Sequence, residues 1–448
     1  ELGAIPDGKT INTEILQKAI NSCFENGGGT VILPAGKYLT GSIFLKSGVC
    51  LKLEKGSVLL GSTNINDYKE VKPEYVALRT GSVTRQLIFA ENQDNISIVG
   101  EGTINGQGAV FERDIIDPRP YVILFISCKN VKIEDISMIN SAFWMQHYLA
   151  CDNLQIKGIR VYNHCNYNND GIDINGCHDV VVSDCIIDSD DDGICLKSTS
   201  PRSCKNVVIN NCVIHSHCNA LKMGTESTGG FQNITIGNCT VSPCEKSDCY
   251  YGTPLGRSAI SLEMVDGGIL ENVSINNISI SEITCPIFIR LGNRGRKYTP
   301  TAVQPPVGIL KHVSISNVIA VSSKPTTSSI TGIPGYYVEN ITLDNIQIIN
   351  RSKGTHEDSE RKVPEKITGY PTPGMHGEVL PASAFYVRHA RNVRFTNIQL
   401  FVENDNIRPA FVLDDVVNIS IINPFVYSKN AEIEILKERN CKNVKLIQ

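Results

Sequence analysis

The sequence lacks three features that would assign it to common functional classes. No apolar run approaches the ~20 residues that a membrane-spanning helix requires. The formal net charge is only -4, so the composition gives no electrostatic case for binding nucleic acid. Cysteine pairs with the C-x-x-C spacing of a zinc ribbon are absent as well. We therefore expect no membrane span, no nucleic-acid partner and no zinc-ribbon site.

What the sequence does contain is one phrase repeated along most of its length. Each copy is an asparagine or its substitute, followed by an apolar, a polar and an apolar residue, as in Asn130-Val131-Lys132-Ile133. From Asn130 to Asn233 the copies are 23, 26, 27 and 27 residues apart. The remaining copies begin at Asn95, Asn153, Asp179, Asn206, Asn272, His312, Asn340, Asn392, Asn418 and Asn443.

This repeat predicts the fold. Alternation within each copy is typical of a half-buried strand, and a period above ~20 residues indicates a repeat architecture. One strand cannot bury its apolar face alone, so successive copies must stack into a continuous core. We therefore predict an all-β chain forming a single-domain right-handed parallel β-helix over residues 1–448, each coil containing several short strands.

A helix and long insertions complete the predicted solenoid. Apolar residues between 12 and 25 recur at helical spacing, with Asn12 or Thr13 as the N-cap. This predicts a helix that caps the exposed end of the solenoid, with the cap and first coils in about 1–60. The coils from about residue 86 onward are interrupted at 107–121, 244–258, 293–307 and 351–384, and an earlier insertion covers 67–85. Such insertions tend to build one binding face.

Several of the sixteen cysteines follow the same repeat. Cys128, Cys151, Cys177 and Cys204 each lie two residues before the Asn or Asp of a copy. Cysteine behaves as a small buried hydrophobic residue. Their spacing therefore predicts stacked interior thiols.

Carboxylates are crowded into two neighbouring coils. Asp170 and Asp173 lie in one, and Asp190, Asp191 and Asp192 lie in the next. Asp170 and Asp192 are 22 residues apart, about one coil, so their backbones should be roughly 5 Å apart. Crowding raises the pKa of at least one carboxyl, and a protonated carboxyl beside an ionised one performs glycoside hydrolysis. Solvated turn aspartates and a structural calcium site are the alternatives that the residues leave open.

Three motifs resemble glycoside hydrolase family 28, the polygalacturonase and rhamnogalacturonan hydrolase family of right-handed parallel β-helices. They are Asn168-Asn169-Asp170-Gly171, the Asp191-Asp192 pair, and Gly224-Thr225-Glu226 followed by Gly229-Gly230. Asp7-Gly8-Lys9-Thr10, Phe143-Trp144 and His147 resemble its bacterial exo-acting branch. The resemblance implies an exo-acting, inverting hydrolase of a pectic carbohydrate substrate, without cofactor or metal. It also implies a monomer that is periplasmic or secreted, its signal peptide removed.

The family pattern implies roles for the three motif aspartates. Asp191 would be the general acid, and Asp170 and Asp192 would hold and deprotonate the attacking water. Inversion requires the acid and the base to be roughly 6.5–9.5 Å apart, to admit that water. Asp191 is therefore expected to point away from the other two.

Two family elements are missing. A Gly-His-Gly motif should fall at His217-Cys218-Asn219, and a cationic Arg-Ile-Lys motif at Ser261-Leu262-Glu263, where Glu263 would repel a uronate. Lys222 and Arg290 are candidates to replace the lost cations, because outward positions align as one column. That column runs through Asp173, Cys195, Lys222, Ser261 and Arg290, and a solvated strand face is its alternative reading. Arg388 and His389 are expected to be structural.

The predicted substrate therefore differs from plain polygalacturonate. Without the cationic pair, we expect poor activity on homogalacturonan and release of galacturonic acid from rhamnogalacturonan-type chains. The expected substrate-binding residues are Lys222, Arg290, Arg294, His147, Asp173, Lys197 and Glu263. A calcium-dependent pectic lyase and a non-catalytic carbohydrate-binding β-helix are the alternative functions.

Overall fold

A computed structural model describes residues 3–113, 118–246 and 248–448 of the chain. It divides into two compact units, the first formed by Glu1–Ser216 with Asp248–Gly252 and the second by His217–Ser247 with Thr253–Gln448. The single-domain organisation stays a prediction. Within the described residues, no helix has both the length and the apolar character needed to cross a membrane.

Unit 1 is built from three stacks of short parallel strands, one strand of each stack per coil. The first stack is β4 (Ile43–Phe44), β7 (Gln86–Glu91), β10 (Tyr121–Ile126), β13 (Gln146–Leu149), β16 (Ile172–Asn175) and β19 (Ile194–Ser198). The second is β2 (Gly29–Leu33), β5 (Val49–Leu53), β8 (Asp94–Gly100), β11 (Lys129–Glu134), β14 (Asp152–Lys157), β17 (His178–Ser183) and β20 (Cys204–Asn210). The third is β1 (Asp7–Ile11), β3 (Gly36–Thr40), β6 (Ser57–Gly61), β9 (Thr103–Asn105), β12 (Ser137–Ile139), β15 (Arg160–Asn163), β18 (Ile186–Ser189) and β21 (Val213–Ser216).

Unit 2 continues parallel pairing with longer strands. Its strands are β22 (Asn219–Ser227), β23 (Gly230–Ser242), β24 (Ser258–Met264), β25 (Ile269–Ile280), β26 (Cys285–Leu291), β27 (Ile309–Ser322), β28 (Ser328–Thr331), β29 (Val338–Asn350), β30 (Phe385–Val402), β31 (Phe411–Ile422), β32 (Phe425–Ser428), β33 (Leu436–Arg439) and β34 (Lys442–Ile447). One stack runs β22, β24, β26, β28 and the other β23, β25, β27, β29. Both continue into β30 and β31. The parallel coils predicted from the repeat are thus present in each unit.

The predicted capping helix is α1 (Thr13–Glu25), which buries Leu16, Ala19 and Ile20. Asn12 occupies the N-cap position, but its side chain bonds the backbone of Ile5 rather than the first turn of the helix. A second helix, α2 (His356–Glu360), lies in the 351–384 insertion, and 3-10 turns occur at Ile65–Asp67, Gly108–Val110 and Pro373–His376. The described parts of the predicted insertions lie between strands, except that Tyr121 and Ser258 begin β10 and β24, while 114–117 and 247 lie outside the described residues.

The residue that opens each phrase, usually asparagine, lies within a strand and bends the chain there. All twelve phrase positions have a φ of about +53° to +58°, the left-handed region that asparagine tolerates better than most residues. Their side chains also bond from coil to coil: Asn392 donates to Asn340 (3.0 Å) and accepts from Asn418 (3.1 Å). Sequons such as Asn340-Ile341-Thr342 are therefore turn asparagines of the repeat.

A second ladder lies five residues after the first, and the sequence reading missed it. Asn345 bonds Asn317 (2.7 Å), and Asn423 bonds Asn397 (2.9 Å), all four with positive φ. Most coils therefore bend a second time five residues after the first bend, at an asparagine, aspartate or glycine. The fixed five-residue offset in the sequence was the available signal.

The four thiols expected to stack are interior. Cys128, Cys151, Cys177 and Cys204 are all fully buried. The Sγ of Cys177 accepts the backbone N–H of Cys151 at 3.4 Å, and the thiols donate to carbonyl oxygens of the strands. They pack the core, as predicted.

The ladder predicts how Asn392 responds to substitution. Asn392→Ala should lower the free energy of unfolding by about 1–2 kcal/mol, because an alanine is strained at positive φ and the amide bonds to Asn340 and Asn418 are lost. Asn392→Gly removes the same bonds without that strain, and should be less destabilising. Urea unfolding followed by circular dichroism measures both. Equal destabilisation by alanine and glycine would contradict the role given to φ.

Candidate active site

The loop before β16 is fixed by two buried asparagines and an arginine. The Oδ1 of Asn169 accepts the backbone N–H groups of Cys165 (2.9 Å) and Asn166 (2.7 Å). Arg119 donates to the Oδ1 of Asn166 (3.0 Å) and to the carbonyl of Tyr167 (2.7 Å). Asp170 therefore enters the strand from a rigid loop.

The second carboxylate pair lies in the turn between β18 and β19. The Ser189 hydroxyl donates to the carbonyls of Asp191 (3.1 Å) and Asp192 (3.2 Å). The backbone N–H of Gly171 donates to the carbonyl of Asp192 at 2.9 Å. This bond joins the two motifs across adjacent coils, so Asp170 and Asp192 are on neighbouring rungs, as predicted.

Lys197 is the cation beside Asp170 and Asp173. Its Nζ lies 3.2 Å from an oxygen of Asp173 and 3.6 Å from an oxygen of Asp170. Asp170, Asp173, Asp191 and Asp192 are all at least 94% buried, as is Lys197. Solvated turn aspartates would be exposed, so that alternative is wrong. Asp173, expected on an outward position, is in fact fully buried.

Burial and repulsion between carboxylates raise the pKa values of Asp170 and Asp173. Burial is the main cause for Asp170, whose pKa lies well above its ordinary value, and repulsion by Asp173 and Asp191 adds to it. Burial also raises the pKa of Asp173 to about 7, against the attraction of Lys197. One Asp170 oxygen, Oδ1, is buried without a hydrogen-bond partner among the described residues. Both carboxyls therefore hold a proton more readily than an exposed aspartate does.

Aromatic rings form a wall beside these charges. The Nζ of Lys197 lies 4.6 Å from the centre of the Trp144 ring, and the Arg79 guanidinium lies 5.0 Å from it. Arg79 belongs to the 67–85 insertion, which thus contributes to the site. His147 packs edge-on against Trp144 (5.0 Å) and stacks on Tyr121 (5.7 Å). Rings and burial together give this site a low dielectric.

His147 lies beside Asp173 in the strand register and is oriented by Asn175. The Oδ1 of Asn175 accepts the backbone N–H of Thr199 (3.0 Å), so its Nδ2 faces His147 and donates to Nε2 at 3.1 Å. The Nε2 atom is therefore an acceptor, and a neutral His147 carries its proton on Nδ1. Asn175 pairs with Lys197 in the next coil, which ties both residues to one register.

Unit 2 contains the residues expected to replace the lost cations. Lys222 lies 3.8 Å from a carboxylate oxygen of Glu263, whose other oxygen accepts the Ser261 hydroxyl at 2.7 Å. Lys222 is 5% exposed, and Glu263 and Ser261 are fully buried. The alternative that Lys222 lies on a solvated strand face is therefore wrong. The charge of Lys222 is, however, offset by the carboxylate of Glu263.

The predicted column of outward residues is wrong at its last member, Arg290. Ser261 pairs with Phe288, and Arg290 pairs with Glu263, so Arg290 is two residues out of the expected line. Its guanidinium, 1% exposed, donates to the carbonyls of Gly332 and Lys366, both at 2.7 Å. Burial lowers its pKa to about 10, which leaves it charged. Arg290 thus anchors the 351–384 insertion.

Arg294 belongs to a separate charged cluster. It forms an ion pair with the buried carboxylate of Asp266 and donates to the Thr225 hydroxyl at 3.0 Å. Tyr370 lies under its guanidinium at 5.8 Å. The Gly224-Thr225-Glu226 motif is therefore tied to the 293–307 insertion.

The late-coil residues Arg388 and His389 have structural contacts, as expected. Both bond Glu365 in the 351–384 insertion, and His389 also bonds Asp415 at 2.6 Å. These contacts therefore hold an insertion against a coil.

Comparison with known proteins agrees with this geometry. Residues 23–368 match the family described as Glycosyl hydrolases family 28. The chain belongs to this family. A Vitis vinifera protein named Probable polygalacturonase is 33% identical over 212 residues, covering 44% of this chain and 43% of that protein. The exo-poly-alpha-D-galacturonosidase of Dickeya chrysanthemi is 25% identical over 246 residues, covering 43% of this chain and 40% of that protein. The matches span less than half the length of these relatives.

Two solved structures have the same fold as this chain. The exopolygalacturonase of Thermotoga maritima gives a TM-score of 0.65 at 21% identity, covering 78% of this chain and 86% of that one. The Yersinia enterocolitica family 28 exopolygalacturonase gives 0.66 at 20% identity, covering 99% of this chain and 77% of that one. The likeness confirms the right-handed parallel β-helix.

The pKa of Asp173 predicts a pH-dependent gain from Asp173→Asn. Its pKa is about 7 when folded against an ordinary 3.8, so the folded chain binds a proton that the unfolded chain has released. Stability therefore falls as the pH rises from about 4 to about 7. Asparagine cannot ionise, so the melting temperature of the variant relative to wild type should be higher at pH 8 than at pH 4. Differential scanning calorimetry measures this.

An exposed aspartate is the control for that measurement. Asp94→Asn changes the same functional group on the surface and should show no such pH-dependent difference. An equal melting-temperature difference for Asp173→Asn at both pH values would contradict the raised pKa.

Proposed function

We propose that this family 28 chain is an inverting, exo-acting hydrolase of pectic chains that releases galacturonic acid from rhamnogalacturonan-type substrates. The observation that carries the proposal is the set of buried carboxylates at the family's own motifs, with the pKa of Asp170 well above its ordinary value. Hydrolysis requires one carboxyl that donates a proton and another that accepts one. The raised pKa of Asp170 strengthens it as the group that accepts a proton.

In the proposed reaction, Asp191 gives its proton to the glycosidic oxygen as the bond from that oxygen to the anomeric carbon breaks. Asp170 and Asp192 hold a water molecule and take one of its protons, while its oxygen bonds to the anomeric carbon from the opposite face. That displacement inverts the configuration. The proton given by Asp191 leaves with the alcohol product. The proton that Asp170 and Asp192 take from water keeps the total charge of the three carboxyl groups unchanged.

Lys197 and His147 have supporting roles in this proposal. The Lys197 ammonium lowers the pKa of both Asp170 and Asp173, so it favours the ionised form that accepts a proton. It also holds the position beside these carboxylates that a calcium-dependent lyase would give to the metal. His147 and Asp173 lie side by side but are 1% and 0% exposed, so contrary to the sequence prediction they would support the site from beneath the sugar rather than contact it.

The catalytic roles predict the effect of two neutral substitutions. Asp191→Asn and Asp170→Asn should each lower kcat on the preferred pectic oligosaccharide at least ~100-fold, because each removes a proton transfer. Product release is measured by chromatography and the anomer first formed by NMR, with Asp94→Asn as the control. A rate near that of wild type in either variant would contradict the role of that aspartate.

The same measurements test the alternatives. An ultraviolet-absorbing product that disappears with a chelator would indicate a lyase, and binding without turnover would indicate a non-catalytic solenoid. A retained anomer would contradict inversion. Because pectic chains lie outside the cytosol, we also propose a periplasmic or secreted monomer, and detection of the native protein only in cytosol would contradict that location.

The substrate preference rests on the pair Lys222–Glu263. A galacturonate carboxylate would have to compete with Glu263 for the Lys222 ammonium. Arg290 already donates to two carbonyls, and Arg294 is paired with Asp266, so neither offers an open cation. We therefore assign Arg290 an anchoring role, and propose that a neutral sugar is preferred at the position that Lys222 contacts.

This preference predicts the result of Glu263→Gln. Removing the carboxylate leaves the Lys222 charge to a substrate uronate, and a charge-assisted hydrogen bond contributes roughly 1.5–3 kcal/mol. The ratio of kcat/KM for polygalacturonate to that for rhamnogalacturonan should therefore rise about tenfold or more. The control is Glu271→Gln, which breaks a Lys311–Glu271 pair (3.3 Å) that is partly exposed. An unchanged ratio would contradict the proposed specificity.

A further inference from the structure

Two exposed tyrosine rings pack on each other in unit 1. Tyr167 is 37% exposed and Tyr250 is 45% exposed, and their ring centres are 5.6 Å apart at an angle of 67°. Tyr167 precedes the β16 motif, whereas Tyr250 comes from the 244–258 insertion. Neither ring is buried in the coil core. They form an aromatic surface open to solvent.

The backbone under each ring is held by buried polar side chains. The fully buried carboxylate of Asp190 accepts the N–H of Tyr250 on both of its oxygens, each at 3.0 Å, and the N–H of Tyr251 at 2.9 Å. Asn166 accepts the N–H of Tyr167 at 2.8 Å, and Arg119 donates to its carbonyl at 2.7 Å. A buried charge thus holds an exposed ring in place, which lowers the entropy lost when a ligand binds.

The ring pair lies close to the proposed catalytic carboxylates. Tyr167 precedes Asp170 by three residues, which span at most ~11 Å of chain. Asp190, which holds Tyr250, is directly followed by Asp191. A distance of this size corresponds to one or two sugar rings along a substrate chain.

An exposed cation adjoins the same rings. The Arg113 guanidinium lies 5.2 Å from the centre of the Tyr167 ring, and Arg113 is exposed. An aromatic face attracts the polarised C–H groups of a pyranose ring, and a guanidinium binds a carboxylate through paired hydrogen bonds. These are the two chemical features of a hexuronate.

We infer that Tyr167, Tyr250 and Arg113 form a subsite for a uronate ring of the pectic chain, one or two sugars from the cleaved bond. The inference rests on the proposed function, which supplies the substrate class. Because the two rings are inclined at 67°, one of them stacks on the face of the sugar ring while the other contacts its edge, and Arg113 pairs with its carboxylate. Asp190 is the positioning residue that holds Tyr250 in place.

Calorimetry with a rhamnogalacturonan hexasaccharide tests this subsite in the Asp191→Asn variant, in which turnover is suppressed. Adding Tyr250→Ala or Tyr167→Ala should weaken binding about tenfold, because stacking area is lost. Tyr250→Phe keeps the ring and should bind as the parent does. Tyr162→Ala is the matched control, since Tyr162 is 46% exposed but packs on the buried His164 at 4.9 Å.

The pairing of Arg113 with a substrate carboxylate is tested with the same hexasaccharide, before and after its carboxyl groups have been reduced. Arg113→Gln should weaken binding of the acidic form about tenfold and leave binding of the reduced form unchanged. Parent-like affinity in both tyrosine-to-alanine variants, or an equal loss in Tyr162→Ala, would overturn the inference alone. A parent variant that binds no pectic fragment would overturn the proposed function as well.

Discussion

The parallel register between coils is the constraint on which the catalytic site depends. It places Asp173 between His147 on one coil and Cys195 on the next, and places Asn175 beside Lys197. Because side chains alternate along a strand, a slip of one residue would move every one of these groups to the opposite face. The asparagine ladders oppose such a slip, since each left-handed turn fixes where a strand begins. Stability and chemistry therefore depend on the same spacing.

The periodic parts of the molecule could be predicted from sequence, and the aperiodic parts could not. The phrase starting at Asn130 predicted strands, turns and interior thiols, because one physical unit recurs at a constant step. Arg119 and Asp190 were missed as supports because they act on loops whose conformation no repeat defines. The column ending at Arg290 failed for a related reason: Ser261 pairs 27 residues on with Phe288, whereas the alignment had assumed 29. Coil length varies wherever an insertion intervenes.

Burial distinguishes this aspartate cluster from ordinary turn aspartates. Removing several carboxylates from water is costly unless cations or protons compensate them. Here one lysine, Lys197, faces Asp170 and Asp173, and the raised pKa values show that protons supply part of the compensation. Groups kept in so unfavourable a state cluster at functional sites. The same imbalance that lowers stability raises the pKa of Asp170 and Asp173.

Charge balance at Lys222 bears on substrate choice in a different way. Ser261 and Glu263 stand where the family's two cations would be, and Glu263 takes the Lys222 ammonium as its partner. The charges of Lys222 and Glu263 offset each other, so the trio is close to neutral. A uronate at Lys222 would share its ammonium with a fully buried carboxylate, so one positive charge would then face two anions. A neutral sugar creates no such conflict, because hydroxyl groups can bond this trio without separating its charges.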